Sequence, residues 1–265
     1  MTDRADQIIE ALRSGHDQLS EVVRGLGPED LTRTSGASEW DVSQVLSHMG
    51  SGAEIALAAL DRALSGGGPA DSDFNKSVWA RWDAMSPAER AEGFGPANEA
   101  LVSRYEALDA ETRKELRIDL GFLPAPVDVA TAAGLRLSEF TLHTWDVEVT
   151  FDPAAALASA AVGPLLDPVG MLIGFVGRTD ALDGRHLRLA IRLTAPDRSF
   201  GLDLGDAVAI TDEEPAVPDA VLAAPAEWWL RLVAGRHAPE HTPGDVSLTG
   251  DALTLDELRL VFPGY

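Results

Sequence analysis

The chain has 265 residues, of which 45% are hydrophobic, so it is long enough for two domains with a sizeable core. Its net charge of -22 argues against nucleic acid or an anionic membrane as a partner, because both would be repelled. The absence of cysteine excludes disulfides, thiolate metal ligands and a cysteine nucleophile. Any metal site must therefore use nitrogen and oxygen ligands, and any thiol chemistry must use the thiol of a small molecule.

The N-terminal residues contain no basic region followed by an apolar core, and no apolar stretch reaches the roughly 18 residues of a membrane span. We therefore expect a cytoplasmic protein without a membrane partner, and either a monomer or a homodimer. The richness in Ala, Gly and Arg is typical of a GC-rich genome, such as that of an actinobacterium.

The N-terminal half predicts a bundle of four helices. The first ends at Gly27-Pro28, and the second begins at Ser38, which is expected to be its N-cap. Residues 66–85 are expected to be irregular, and a break in the third helix is left open at residues 93–96. A four-helix bundle is the simplest architecture for this pattern. The predicted helices cover residues 3–25, 38–64, 86–116 and 127–149.

The pattern changes after Pro153 and predicts a small α+β domain. Residues 154–180 are expected to be partly helical, and residues 187–193 alternate apolar and polar side chains as a half-buried strand does. We therefore expect an α+β protein with a bundle over residues 1–152 and an α+β domain over residues 153–265. The further predicted elements are strands at 200–204, 207–210 and 246–250 and helices at 225–235 and 254–261.

Three side chains in the predicted bundle are candidate metal ligands. Glu139 and His143 are four residues apart in one helix, so both can reach the same ion, and His48 lies in an apolar stretch of the second helix. Two His and one Glu form a common zinc ligand set that leaves a position open for water or substrate. Spacing alone leaves other interpretations open, because a Glu–His pair is also common on helix surfaces and a lone His is often a core residue.

Two segments resemble the mycothiol-dependent maleylpyruvate isomerase family, part of the DinB-like superfamily. Residues 40–49 (WDVSQVLSHM) are similar to the segment around that family's first metal-binding His. Residues 139–146 (EFTLHTWD) are similar to its second ligand segment, and residues 31–35 (LTRTS) also fit. The resemblance implies a DinB-like bundle that binds a divalent metal, zinc in our prediction, through His48, Glu139 and His143. It also implies a sterol-carrier-like domain over residues 153–265.

The resemblance further implies an enzyme that uses mycothiol as its thiol cosubstrate. A zinc-bound thiolate would attack a small electrophilic substrate, either in a cis-trans isomerisation or in a thiol transfer. Arg231 and Arg236 are the candidates for binding thiol or substrate. Two other functions stay open, a non-catalytic protein that binds a metal and an apolar ligand, and a hydrolase that uses zinc-bound water. For Asp146 two interpretations are open, a hydrogen bond to a ligand His or a place at the surface.

Overall fold

The computed structural model describes residues 3–37, 39–68 and 72–264. The chain divides into two compact units, Met1–Asp152 and Pro153–Tyr265. Among the described residues, no helix has both the length and the hydropathy needed to cross a bilayer. The predicted fold class is confirmed, because a helical bundle is followed by a unit that combines helices with a mixed sheet.

Four long helices form the core of the first unit. The elements of this unit are α1 (Arg4–Arg24), α2 (Val42–Leu64), α3 (Ser72–Asp83), α4 (Pro87–Glu106), α5 (Ala110–Glu115), β1 (Arg117–Ile118), β2 (Val127–Asp128) and α6 (Val129–Glu148). α1 and α2 each pack against both α4 and α6, so the four surround one apolar interior. α3 packs on α2, and the two short strands β1 and β2 form an antiparallel pair.

The start of α2 differs from the prediction. Ser38, the expected N-cap, lies outside the described residues, and the helix begins at Val42 with Asp41 as its N-cap. The Asp41 carboxylate accepts from the backbone N–H of Gln44, while the Gln44 side chain accepts from the Asp41 N–H. This capping box satisfies two otherwise unpaired donors, so it fixes the helix start less than two turns before His48.

The segment expected to be irregular contains α3, so that prediction is wrong. Trp82, which is 1% exposed, anchors this helix, since its indole lies so close to Gly50 of α2 that a Cβ there would overlap the ring. The Trp82 Nε1–H donates to Glu54 at 3.1 Å. The Trp82 indole is buried against α2 at a position where Gly50 has no side chain. This apolar contact explains why the short helix α3 forms here.

The third predicted helix is two helices. α4 runs unbroken through Pro96, since an interior proline removes one backbone hydrogen bond without ending a helix that is packed on both sides. It ends at Glu106 rather than near Leu116. Asp109 then caps the separate helix α5, with its carboxylate accepting from the N–H of Thr112 at 2.7 Å.

The second unit contains a five-stranded mixed sheet and three helices among its described residues. The elements are α7 (Ser159–Val176), β3 (Leu187–Thr194), β4 (Arg198–Leu204), β5 (Val208–Thr211), β6 (Ala220–Pro225), α8 (Ala226–Val233), β7 (Ser247–Thr249) and α9 (Leu255–Val261). The strand order is β5-β4-β3-β6-β7, and all neighbours are antiparallel except β3 and β6, which are parallel. The predicted alternation of β3 is present, since Arg188 and Arg192 are exposed while Leu189, Ile191 and Leu193 are buried.

Candidate metal centre

His48 of α2 and Glu139 and His143 of α6 lie together in the first unit. The Nε2 atom of His48 is 3.2 Å from Glu139 Oε2, and the Nε2 atom of His143 is 3.7 Å from the same oxygen. One ligand atom from each residue lies within 4.8 Å of the other two. Ligand atoms about 2.0–2.1 Å from a tetrahedral ion are about 3.3 Å apart, so small side-chain movements would suffice to hold a zinc-sized ion.

The outer nitrogen of His143 is held by Asp146. The two atoms, His143 Nδ1 and Asp146 Oδ2, are 2.8 Å apart, and Asp146 is completely buried. A carboxylate at this position holds a proton on Nδ1 and turns Nε2 towards Glu139 and His48, so that an ion placed between them would meet the Nε2 lone pair. Of the two interpretations left open for Asp146, the hydrogen bond to a histidine is therefore confirmed.

Trp40 packs against both imidazole rings. Its ring centroid is 5.1 Å from that of His48 and 6.0 Å from that of His143, and the two imidazoles meet edge to face at 4.7 Å. The indole precedes the Asp41 cap, so the local structure that starts α2 also sets its position. Trp40 thus limits the rotation of both rings.

The charge of Glu139 is stabilised by its neighbours. His143, whose Nε2 atom is 3.7 Å away, and then His48, at 3.2 Å, lower the pKa of Glu139 far below its usual value, although burial acts in the opposite direction. Throughout the described part of the chain, no Lys or Arg lies within ion-pair distance of this carboxylate. Glu139 is therefore an anion whose ion-pair partners are both histidines, a combination of donors that suits a divalent cation.

Arg136 is a buried cation near this cluster that the sequence did not point to. It lies three residues before Glu139, and its guanidinium donates to the carbonyl of Met49 at 2.6 Å and to Oδ1 of Asn98 at 2.7 Å. Burial lowers its pKa to about 10, so it remains charged at neutral pH. Gly52 makes room for it, since a Cβ there would lie 2.9 Å from Nη1. An arginine within an apolar helical stretch is the signal that could have found it.

A second group of possible ligands, His16, Asp17 and Glu99, is less suited to a metal. The guanidinium of Arg13 donates to Glu99 at 2.5 and 3.0 Å and to Asp17 at 3.4 Å. A cation is therefore already bound to both carboxylates, and we interpret this group as an ion-pair cluster between α1 and α4.

Arg231 and Arg236 lie in the second unit. Arg231 is 1% exposed, and its guanidinium forms two hydrogen bonds with Glu227, at 2.7 and 2.8 Å, and one with the carbonyl of His241 at 3.0 Å. Arg236 is half-buried and donates to the carbonyl of Ala234 at 3.1 Å. These contacts give both side chains a structural role within their unit, and their role in binding thiol or substrate stays a prediction.

The fold and the cluster define a class of protein, a helical bundle with a His/Glu group able to hold one metal ion, joined to an α+β unit. A profile of the mycothiol maleylpyruvate isomerase N-terminal domain family matches residues 12–148, more than half of the chain. The chain belongs to this family. The resemblance inferred from the sequence is thus confirmed, and with it the assignment to a family of enzymes, while a sterol-carrier-like second unit stays a prediction.

The fold is also found in solved structures. The crystal structure of the mycothiol-dependent maleylpyruvate isomerase matches 94% of this chain and 96% of its own, with a TM-score of 0.63 and 12% identity. A variant of that isomerase with one histidine replaced by alanine matches equally widely, with a TM-score of 0.62. At this identity the likeness shows the fold, which extends over both units. No curated protein matches the chain significantly.

Proposed function

We propose that the protein is a metal-dependent enzyme that uses mycothiol to isomerise a small electrophilic substrate of the maleylpyruvate type. Membership of the family supports this function, as does the fold shared with the mycothiol-dependent maleylpyruvate isomerase. The observation that carries it is the convergence of His48, Glu139 and His143, with Asp146 bound to the outer nitrogen of His143.

In this proposal the three converging side chains hold a divalent ion, which we take to be zinc. Such an ion lowers the pKa of a thiol at an open coordination position and so favours the thiolate near neutral pH. Glu139 contributes one negative charge, and Asp146 keeps the proton of His143 on Nδ1, away from the other ligands. Trp40 covers one side of both imidazoles and keeps them oriented.

The thiol is regenerated in the proposed isomerisation. It loses its proton, and its sulfur bonds to one carbon of a cis double bond conjugated to carbonyl groups, while the π electrons move to a carbonyl oxygen. The new single bond rotates. The carbon–sulfur bond then breaks, which restores the double bond in its trans form and releases the thiolate. A thiol transferase would differ in one respect, because its product would keep the carbon–sulfur bond.

The test uses metal-loaded protein with maleylpyruvate, in the presence and absence of mycothiol. We expect turnover only with the thiol. His48→Ala and His143→Ala should each lose metal and lower the rate by more than about 100-fold, because each removes a ligand. His186→Ala is the matched control, since the His186 side chain is 65% exposed and belongs to the second unit.

Three outcomes would contradict the proposal. Equal turnover without thiol would indicate hydrolysis or isomerisation by metal-activated water. Full metal content in both ligand variants would show that the ligands are elsewhere. A tightly bound apolar molecule after purification, together with no turnover of any electrophile tried, would favour a binding protein.

A further inference from the structure

A cavity of about 180 Å³ lies beside the candidate metal centre. One face of α2 forms a wall of it with Gln44, Ser47 and His48, residues spaced so that they point to the same side of a helix. Trp79 and Asp83, one turn apart on α3, also line it. Because His48 lines the cavity, a molecule with one end at the metal centre could extend its other end into this space.

Several polar groups at the cavity lack protein partners. Ser47 is 5% exposed, and within the described parts of the chain its hydroxyl has no hydrogen bond to protein, as is also true of the Asp83 carboxylate. Gln44 uses its side-chain oxygen in the capping box of α2, which leaves its amide N–H groups as donors. A nearly buried hydroxyl with no protein partner is expected to bind a ligand or water.

The charges at the cavity do not favour an anion. Arg90 lines the cavity, but its guanidinium donates to the carbonyls of Trp82 and Asp83, at 3.3 and 2.8 Å, and to the Ser43 hydroxyl at 3.3 Å. The Asp83 carboxylate adds a negative charge at the same wall and would repel a carboxylate or phosphate. The cavity is therefore best suited to an uncharged ligand that donates several hydrogen bonds.

Trp79 supplies a flat apolar surface. Its side chain is one of the few large hydrophobic ones that are exposed, at 48%. An aromatic face beside a carboxylate, a hydroxyl and an amide matches a ring that carries several hydroxyl groups, because such a ring has apolar C–H faces and a polar edge. The volume has room for one such ring.

We propose that this cavity binds a polyhydroxylated ring, and that the ring is the polyol part of the thiol cosubstrate. Asp83 accepts hydrogen bonds from its hydroxyls, Ser47 and Gln44 bond to its edge, and Trp79 stacks on its face. This inference rests on the proposed function, because mycothiol carries its cysteine thiol on a sugar–inositol unit. The cavity would then make the protein select mycothiol over simpler thiols.

The test is calorimetric titration of the metal-loaded, full-length chain with three probes. These are mycothiol, N-acetylcysteine, which has the thiol without the polyol, and N-acetylglucosaminyl-inositol, which has the polyol without the thiol and without a charged amine. Asp83→Asn and Trp79→Ala should each weaken mycothiol binding about tenfold or more. Both should leave the metal content and the affinity for N-acetylcysteine unchanged. Asp73→Asn is the control, since Asp73 lies on the same helix and pairs with Lys76.

The outcomes separate this inference from the proposed function. Unchanged mycothiol affinity in both Asp83→Asn and Trp79→Ala would overturn the cavity assignment and leave the proposed function standing. The same conclusion would follow if these variants lost N-acetylcysteine binding to the same extent as mycothiol binding. If the native chain binds neither thiol but still binds N-acetylglucosaminyl-inositol in an Asp83-dependent manner, the cavity assignment stands and the proposed function fails.

Discussion

At the scale of single residues, the orientation of His143 depends on one buried carboxylate. Asp146 accepts from the imidazole, and its own backbone carbonyl accepts from the N–H of Gly36 at 2.8 Å. A side chain at Gly36 would collide with this arrangement, since a Cβ there would lie 3.1 Å from Asp146 Oδ1. Gly36, in the segment before α2, therefore helps to fix the position of Asp146 on α6. Asp146 in turn orients the imidazole of His143.

The first residue-scale prediction concerns Asp146→Asn. An amide is uncharged and can present its N–H₂ to the ring, so it no longer fixes the proton on Nδ1 of His143. We expect metal affinity to fall about 10- to 100-fold while the fold persists. Competition with a chromophoric chelator measures the affinity, and far-ultraviolet circular dichroism checks the fold. Glu148→Gln, a change at the end of the same helix, is the control, and wild-type affinity in Asp146→Asn would disprove the role assigned to the carboxylate.

At the scale of elements, α1 and α4 are joined by the ion-pair cluster around Arg13. Its guanidinium donates to Glu106 at 2.9 and 2.8 Å as well as to Glu99. The hydrogen bond from Arg13, followed by that from Ser103, lowers the pKa of Glu99 to about 2, and the pKa of Glu106 is lowered mainly by Arg13 as well. Two helices that are distant in sequence are thereby linked at a partly exposed edge.

This linkage predicts a pH-dependent effect of Arg13→Gln. Because the folded pKa of Glu99 lies below its unfolded value of about 4.5, the stabilisation is complete above that value and is lost as the pH falls towards 2. The variant should thus reduce the free energy of unfolding by on the order of 1 kcal/mol at pH 7, and progressively less below pH 4.5. Urea unfolding at several pH values measures this difference.

Arg24→Gln serves as the control for that experiment. Among the residues that the structure describes, Arg24 pairs only with Glu21 on the same helix. Both side chains are more than two-thirds exposed, so the replacement should change little at any pH. A constant difference between Arg13→Gln and the native chain from pH 7 to pH 3 would show that Arg13 acts through packing rather than through its carboxylate partners.

The elements also show what local sequence could and could not predict. The long helices of the bundle follow from apolar periodicity, and the spacing of Glu139 and His143 correctly predicted that they share one helix face. α3 was missed, because its stability comes from Trp82 packing over Gly50, a contact between helices that local sequence does not contain. β6 was missed for a similar reason, since its Ala-rich sequence has weak strand preference and is held between β3 and β7.

The same distinction applies to the site. The ligand segments were predicted from their flanking residues, whereas Arg136 and the cavity beside His48 were not. Both depend on which side chains meet across α2, α3, α4 and α6, and therefore on tertiary packing. The burial of Asp146 was left open for the same reason. Whether one position of a helix is buried depends on which other elements pack against that face, and the sequence of the helix does not show this.

At the scale of the whole molecule, the candidate metal centre and the cavity beside it both lie in the first unit. His48, Glu139, His143 and Asp146 all precede Pro153, and so does the proposed polyol cavity. The sheet of the second unit has a core of its own, with Leu189 and Leu222 completely buried on neighbouring strands and Trp228 completely buried on α8. We propose that the first unit holds the metal by itself.

This division predicts that residues 1–152 alone bind about one equivalent of zinc, because every proposed ligand and its supporting carboxylate are retained. Elemental analysis of the reconstituted fragment measures the metal, and circular dichroism measures its helix content. The fragment with His143→Ala is the matched control and should bind far less. A helical fragment that takes up no metal would place a missing ligand in the second unit.

The ligands of the candidate metal centre have one more consequence, for folding. His48 and Glu139 are 91 residues apart in sequence, so an ion that joins them acts as a reversible cross-link across a long chain segment. An unfolded chain offers no such preformed site, so each ion bound by the native state must be released when the chain unfolds. If this cluster holds the proposed ion, the unfolding temperature should rise with the free metal concentration, and a chelator should weaken the fold as well as the site.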